Sequence, residues 1–182
     1  KLVTPEELAA AKAAEEAAKK QAEDEATAKR EAIEGALNAL KQDELFKTSL
    51  MYVSQDSTNL EFTAVSLRKS LNDEGFKKLA PIADSLTTVK IGSTSISEGA
   101  LLSELPKMKN LIRLDLSDME IGNGSLEAVA QLPNLEWLNL HNTEVTDEGL
   151  LKLKTLSKLE KVYLWNSQTT PEGAEALKEE IP

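Results

Sequence analysis

Apolar residues in the C-terminal part of this chain recur in one repeated phrase. It is clearest at residues 135–149, LEWLNLHNTEVTDEG. Leucines stand at Leu135, Leu138 and Leu140, a hydroxyl at Thr143, an apolar residue at Val145, and then Thr146-Asp147-Glu148-Gly149. The phrase also begins at Leu86, Leu111 and Leu159, so its starts lie 25, 24 and 24 residues apart. Apolar residues at alternate positions predict a strand with one buried face. A hydroxyl or amide residue followed by acids predicts the first turn of a helix. Parallel strands are expected near residues 64–67, 88–91, 113–116, 137–140 and 161–164, each followed by a short helix. A fixed period of this size is the mark of stacked supersecondary units, a solenoid. The first unit, FTAVSLRKSLNDEG, is worn. It fits best from Phe62 with Val65 and Leu67 inward, and a start at Leu60 with Thr63 and Val65 inward is the other register.

Residues 1–47 follow a different rule. Thr4-Pro5-Glu6-Glu7 reads as a helix start, with Thr4 as N-cap, and no glycine or further proline appears until Gly35. Alanine, glutamate and lysine are strong helix formers, and Glu15/Lys19, Glu16/Lys20 and Glu25/Lys29 are favourable pairs four residues apart. A helix from Pro5 to Lys41 would be about 55 Å long. Its apolar side is a thin alanine stripe, Ala11, Ala14, Ala18 and Ala22, until Ile33, Leu37 and Leu40 arrive. The first part, to about residue 28, is expected in solvent or on another chain, and residues 30–47 docked on the repeats. Residues 48–61 form a cap or connector, with SLMYV as a short strand and QDSTN as a turn. Residues 62–182 form the repeat domain.

The phrase L-x-x-L-x-L-x-x-(T/S)-x-(I/V)-T-D-E-G-L resembles leucine-rich repeats of the ribonuclease-inhibitor-like and bacterial extracellular types. That resemblance implies an α/β leucine-rich-repeat solenoid of four to five repeats behind a long N-terminal α-helix. It places parallel strands on a concave face that binds a ligand, and short helices on the convex face. Two features depart from the pattern. The usual asparagine after the strand is replaced by Thr94, Met119, Thr143 and Ser167, and Met119 predicts local irregularity in its unit. No C-terminal cap is evident, so either the helix holding Leu177 and Ile181 covers the last strand or another chain does. The alanine-rich tract is similar in composition to the long periplasm-spanning helices of the TolA family.

Net charge is −10, which disfavours nucleic acid and anionic lipid. No apolar run is long enough for a transmembrane helix. Cysteine is absent, which removes disulfides, thiolate metal sites and cysteine nucleophiles. The chain opens on Lys1, so a piece upstream is expected to have been removed, whether a cleaved signal, a membrane anchor or a truncated segment. A bacterial periplasmic, envelope or extracellular location is the expectation.

The acids before glycine, at Asp73-Glu74, Glu98, Asp147-Glu148 and Glu172, follow Asn72, Ser97, Thr146 and Thr170 with one residue between at Glu172. Helix capping explains them better than calcium, which needs converging ligands at alternating positions. His141 is the single histidine, with no cysteine for zinc and no nucleophile motif, so no metal, cofactor or catalytic set is expected. Asn123-Gly124-Ser125 is formally a glycosylation sequon.

Strand alternation turns the x positions of the phrase away from the core. They include Arg113, Asp115, Trp137, Asn139, His141, Tyr163 and Trp165, which are the candidate ligand-binding residues on the concave face. Both tryptophans fall there. Neighbouring parallel strands lie about 4.8 Å apart, so Trp165 should stand beside His141 and Tyr163 beside Asn139. Exposed aromatic rings among polar groups are the material of binding hot spots. The leading expectation is a non-enzymatic module that binds a protein, or a glycan, through this face. The second is a structural subunit of a bacterial envelope assembly, associating through the N-terminal helix and the C-terminal edge.

Overall fold

The computed structural model describes residues 5–54, 58–65, 67 and 70–181. It is a mixed α/β chain in which a long helix precedes a six-stranded sheet. The helix α1 runs Pro5–Lys41, as the alanine, glutamate and lysine content predicts. The expected cap at Thr4, residues 55–57 of the QDSTN turn and Pro182 lie outside the described residues. Side chains 10–32 of α1 are exposed, the alanine stripe included. Ile33, Leu37 and Leu40 are buried, and this end packs on the short 3₁₀ helix Ala80–Ser85.

The strands β1 (Leu50–Tyr52), β2 (Leu60–Thr63), β3 (Leu86–Lys90), β4 (Arg113–Asp115), β5 (Trp137–Asn139) and β6 (Lys161–Tyr163) pair in chain order. β1 is antiparallel to β2, and every later pair is parallel. The later register is uniform: Thr88, Arg113, Trp137 and Lys161 form one row, and Lys90, Asp115, Asn139 and Tyr163 another. Each crossover carries a short helix: α2 (Asp73–Lys77), α3 (Glu98–Glu104), α4 (Ser125–Val129) and α5 (Asp147–Leu150). The helix α6 (Pro171–Glu180) follows β6. The core between sheet and helices is built from the leucines of the phrase, among them the fully buried Leu111, Leu114, Leu116, Leu135, Leu138 and Leu140.

Two expectations about this core change. The first strand is Leu60–Thr63 rather than 64–67, so the first unit starts within the stretch read as connector. Phe62 takes the place of Val89, and the register slips between Leu60 and Glu61 because one residue of the phrase is missing there. Phe62 and Ala64 therefore point inward, while Val65, expected inward in both registers, is 61% exposed. Phe62 is held by Phe46, ring centroids 5.8 Å apart, and β1 covers the outer edge of β2. At the other end Val162 and Leu164 are only partly buried, because β6 is the edge strand of the described sheet.

The helix starts are tied from unit to unit. Asp73 accepts from the backbone N–H and hydroxyl of Ser97, both at 2.7 Å. Glu98 accepts from the N–H groups of Gly122 and Ser125. Asn123 accepts from Thr146 N–H at 3.0 Å and donates to its hydroxyl at 2.8 Å. Asp147 accepts from Thr170 N–H and hydroxyl at 2.8 and 2.7 Å. These side chains thus bridge to the next unit. Asn72, Ser97 and Thr170 cap their own helices as predicted, but Thr146 does not, because its hydroxyl is already bound to Asn123. The sequon asparagine is committed in the same contact. The bridges also explain two glycines: a Cβ at Gly149 or Gly173 would overlap the Asn123 or Asp147 side chain. Thr94, Thr143 and Ser167 donate at 2.7–2.8 Å to the carbonyls of Ile91, Leu140 and Leu164, the residue that follows each strand. Met119 cannot; it is buried, and its unit is irregular in that α4 follows Gly124 in αR conformation without a side-chain cap.

The bridges make stability depend on acid. Hydrogen bonds from the Ser97 N–H and hydroxyl hold Asp73 below the usual carboxylate range, and those from the Thr170 hydroxyl and N–H do the same for Asp147. A carboxylate with a depressed folded pKa adds stability above its unfolded pKa, and that stability is lost as pH falls through the folded value. Melting temperature should therefore drop on acidification below about pH 4. Asp73→Asn with Asp147→Asn should weaken that drop, since Asn123 shows that an amide can make the bridge. An unchanged acid dependence in the double variant would contradict this.

Candidate binding site

The open face of the sheet is built by the odd-numbered residues of the last three strands, because the even-numbered neighbours Leu114 and Leu138 go to the core. Arg113, exposed on β4, lies with its guanidinium carbon 4.9 Å from the centroid of the Trp137 ring. Trp137 is half-buried and meets Tyr163 at 5.2 Å, the planes tilted by 48°. Tyr163 stands beside Asn139 in register, as expected, and its ring reaches diagonally back to Trp137. Trp165 stands beside His141: the rings are stacked, 4.9 Å apart and 1° from parallel. Tyr163 is 48% exposed and Trp165 78%. A cation over an indole, a tilted aromatic pair and a stacked pair therefore cross three adjacent strands.

Not every candidate is free to meet a ligand. An Asp115 oxygen accepts from the Ser117 N–H, and an Asn139 oxygen from the His141 N–H, both at 3.0 Å. Both side chains are half-buried and close the turn after the strand, so their first role is to aim Ser117 and His141. His141 Nε2 lies 3.9 Å from Asp118 Oδ1.

Behind the rings runs a second, polar row. Ser93, Asp118, Asn142 and Asn166 all have positive φ, between 53° and 61°. Asp and Asn tolerate this left-handed conformation better than most residues, and it turns the chain sharply out of each strand. The Asn142 amide donates to Asp118 at 2.9 Å, and the Asn166 amide donates to Asn142. This polar ladder borders the ring pairs. Its signal in the sequence is a small polar residue two positions after the last inward residue of each strand, at Ser93, Asp118, Asn142 and Asn166.

At the far side of the face, Lys90 pairs with Glu61 at 2.6 Å, which holds the Glu61 carboxyl below its ordinary range. Lys161 is exposed in the row of Arg113 and Trp137. Among the described residues no group of three or more His, Asp or Glu is placed to hold a metal ion, and no helix is long and apolar enough to cross a membrane.

No family model and no curated protein matches this chain. Among solved structures, it is similar to a crystal structure of an internalin (inlF) from Listeria monocytogenes, with 27% identity and a TM-score of 0.36. That match covers 46% of this chain and 30% of the internalin chain.

Proposed function

We propose that residues 60–181 form a leucine-rich-repeat solenoid that works as a non-enzymatic binding module, with a protein as its ligand. The single observation that carries this is the ring system: Trp165 and Tyr163 stay exposed while packed against His141 and Trp137. Large rings held in place by neighbours contribute contact area with little further ordering on binding. The strip is a broad open surface rather than an enclosed pocket, which suits a protein segment or a glycan better than a small metabolite. Residues 1–47 act as a helical spacer, and residues up to 59 close the first unit. An extracellular or envelope location belongs to the same reading, and among the described residues no acid–base or nucleophile set is assembled.

Selection of a displayed random-peptide library on the whole chain tests this, with an immobilised glycan set as the second arm. Enriched ligands should lose more than about 1 kcal/mol of affinity with Trp165→Ala and with Trp137→Ala, the circular-dichroism spectrum being unchanged. Ligands that bind both variants like the wild type would move the interface elsewhere. Association through α1 and the C-terminal edge would then become the better reading, supported by the exposure of α1 along residues 10–32.

A further inference from the structure

The charges on the open face are not balanced. In one row across the sheet, Glu61, Thr88, Arg113, Trp137 and Lys161 stand side by side, one per strand. Glu61 is bound to Lys90 at 2.6 Å, and Arg113 reaches it only through space, from two strands away. The acids further along the face already take hydrogen bonds within the fold: Asp115 from the Ser117 N–H, and Asp118 from the Asn142 amide. Arg113 and Lys161 lack an acidic partner. Both are exposed, and among the described residues neither has a carboxylate within ion-pair distance. The chain has a net charge of −10, and Lys77, Lys78, Lys107, Lys152 and Lys178 each pair with an acid. Two free cations on either side of Trp137 therefore mark a place that an anion would complete.

The geometry of Arg113 says what kind of anion. Its guanidinium carbon lies 4.9 Å from the Trp137 centroid, so one face of the planar group rests on the indole. Stacking uses that face and leaves the N–H donors, which lie in the plane, free at the edge. This fork matches the two oxygens of a carboxylate. Lys161 is two strand spacings from Arg113, about 10 Å at the backbone, and its long side chain can approach the same carboxylate from the other side. Arg113 and Trp137 stand on β4 and β5, which are paired along both edges, so their position does not depend on what lies beside β6.

The same stacking disfavours a sugar, which needs a bare ring face to lie on. One face of Trp137 is under Arg113, and its neighbour Tyr163 is tilted by 48° rather than level with it. Trp165 carries His141 on one face. An acidic side chain needs only the fork.

We infer that the partner is an acidic segment of another protein, whose aspartate or glutamate carboxylate seats in the Arg113 fork beside Trp137, with Lys161 facing it. An apolar side chain next to that acid lies on the exposed ring of Tyr163. This rests on the binding-module reading and names the chemistry of its ligand.

The test is selection of a displayed random-peptide library on the whole chain and on Arg113→Gln. Sequences enriched on the wild type should carry an aspartate or glutamate beside an apolar residue, and that acid should not be enriched on Arg113→Gln. In the most enriched peptide, made synthetically, changing the acid to its amide should weaken binding about tenfold or more, and so should Arg113→Gln. The two changes together should cost no more than either alone, the mark of a direct pair. The amide peptide reads the carboxylate on the unaltered protein, so the test stands even if the variant folds poorly. Enriched peptides without an acid, additive losses, or capture of heparin with no peptide enriched would overturn the acidic-segment proposal. Peptides that need Trp137 and Trp165 but no acid sink this inference and leave the binding module standing. Peptides indifferent to both tryptophans sink the module, and this inference with it.

Discussion

Leu138→Ala is expected to destabilise the protein by about 2–5 kcal/mol, measured by denaturant unfolding. Leu138 is fully buried on β5, between the equally buried Leu114 of β4 and the partly buried Val162 of β6. Neighbouring strands are locked by main-chain pairing on both sides, so the cavity left by the missing methyl groups cannot collapse cheaply. Leu164→Ala should cost less, because that side chain already borders an open groove. Equal losses at both positions would mean that the last unit is covered in solution.

Deletion of residues 30–58 should abolish cooperative melting, while deletion of residues 1–28 should leave it unchanged. The first removes Ile33, Leu37, Leu40, Phe46 and Leu50, all buried, and strips β1 from the edge of β2. Burial of one such side chain is worth about 1.5–3 kcal/mol, so losing five approaches the whole stability of an ordinary domain, about 5–15 kcal/mol. Residues 10–28 contribute no buried side chain. If the shorter deletion unfolds the sheet, or both melt alike, the spacer role of α1 is wrong.

The units from Leu86 onward were legible because strand alternation and helix starts recur at nearly constant spacing, and each strand lies within two residues of its expected place. The first unit was not legible, since one missing residue shifts which side chains face inward: Phe62 and Ala64 replaced Val65. The acids before glycine looked like caps of their own helices. They do stand in the first turns of those helices, and Asp73 and Asp147 also reach the next unit; only contacts between units show why glycine must stand at 149 and 173. For the candidate site, alternation alone placed Trp137, His141, Tyr163 and Trp165 on one face. It could not show that Asp115 and Asn139 close turns, because that depends on side-chain torsions rather than on spacing. Nor could it give the Arg113–Trp137 contact, which rests on the direction of a long side chain.

The most direct measurement of the binding role uses Trp165 as its own reporter. In Trp137→Phe, Trp165 is the single tryptophan, since the chain has two. It is 78% exposed, so its emission should be that of a solvated indole. Addition of a library-selected ligand to saturation should move the emission to shorter wavelength and protect it from acrylamide quenching, as the ring leaves water. Saturated binding with the emission and quenching of Trp165 unchanged would contradict the account, because the ligand would then sit away from the aromatic strip.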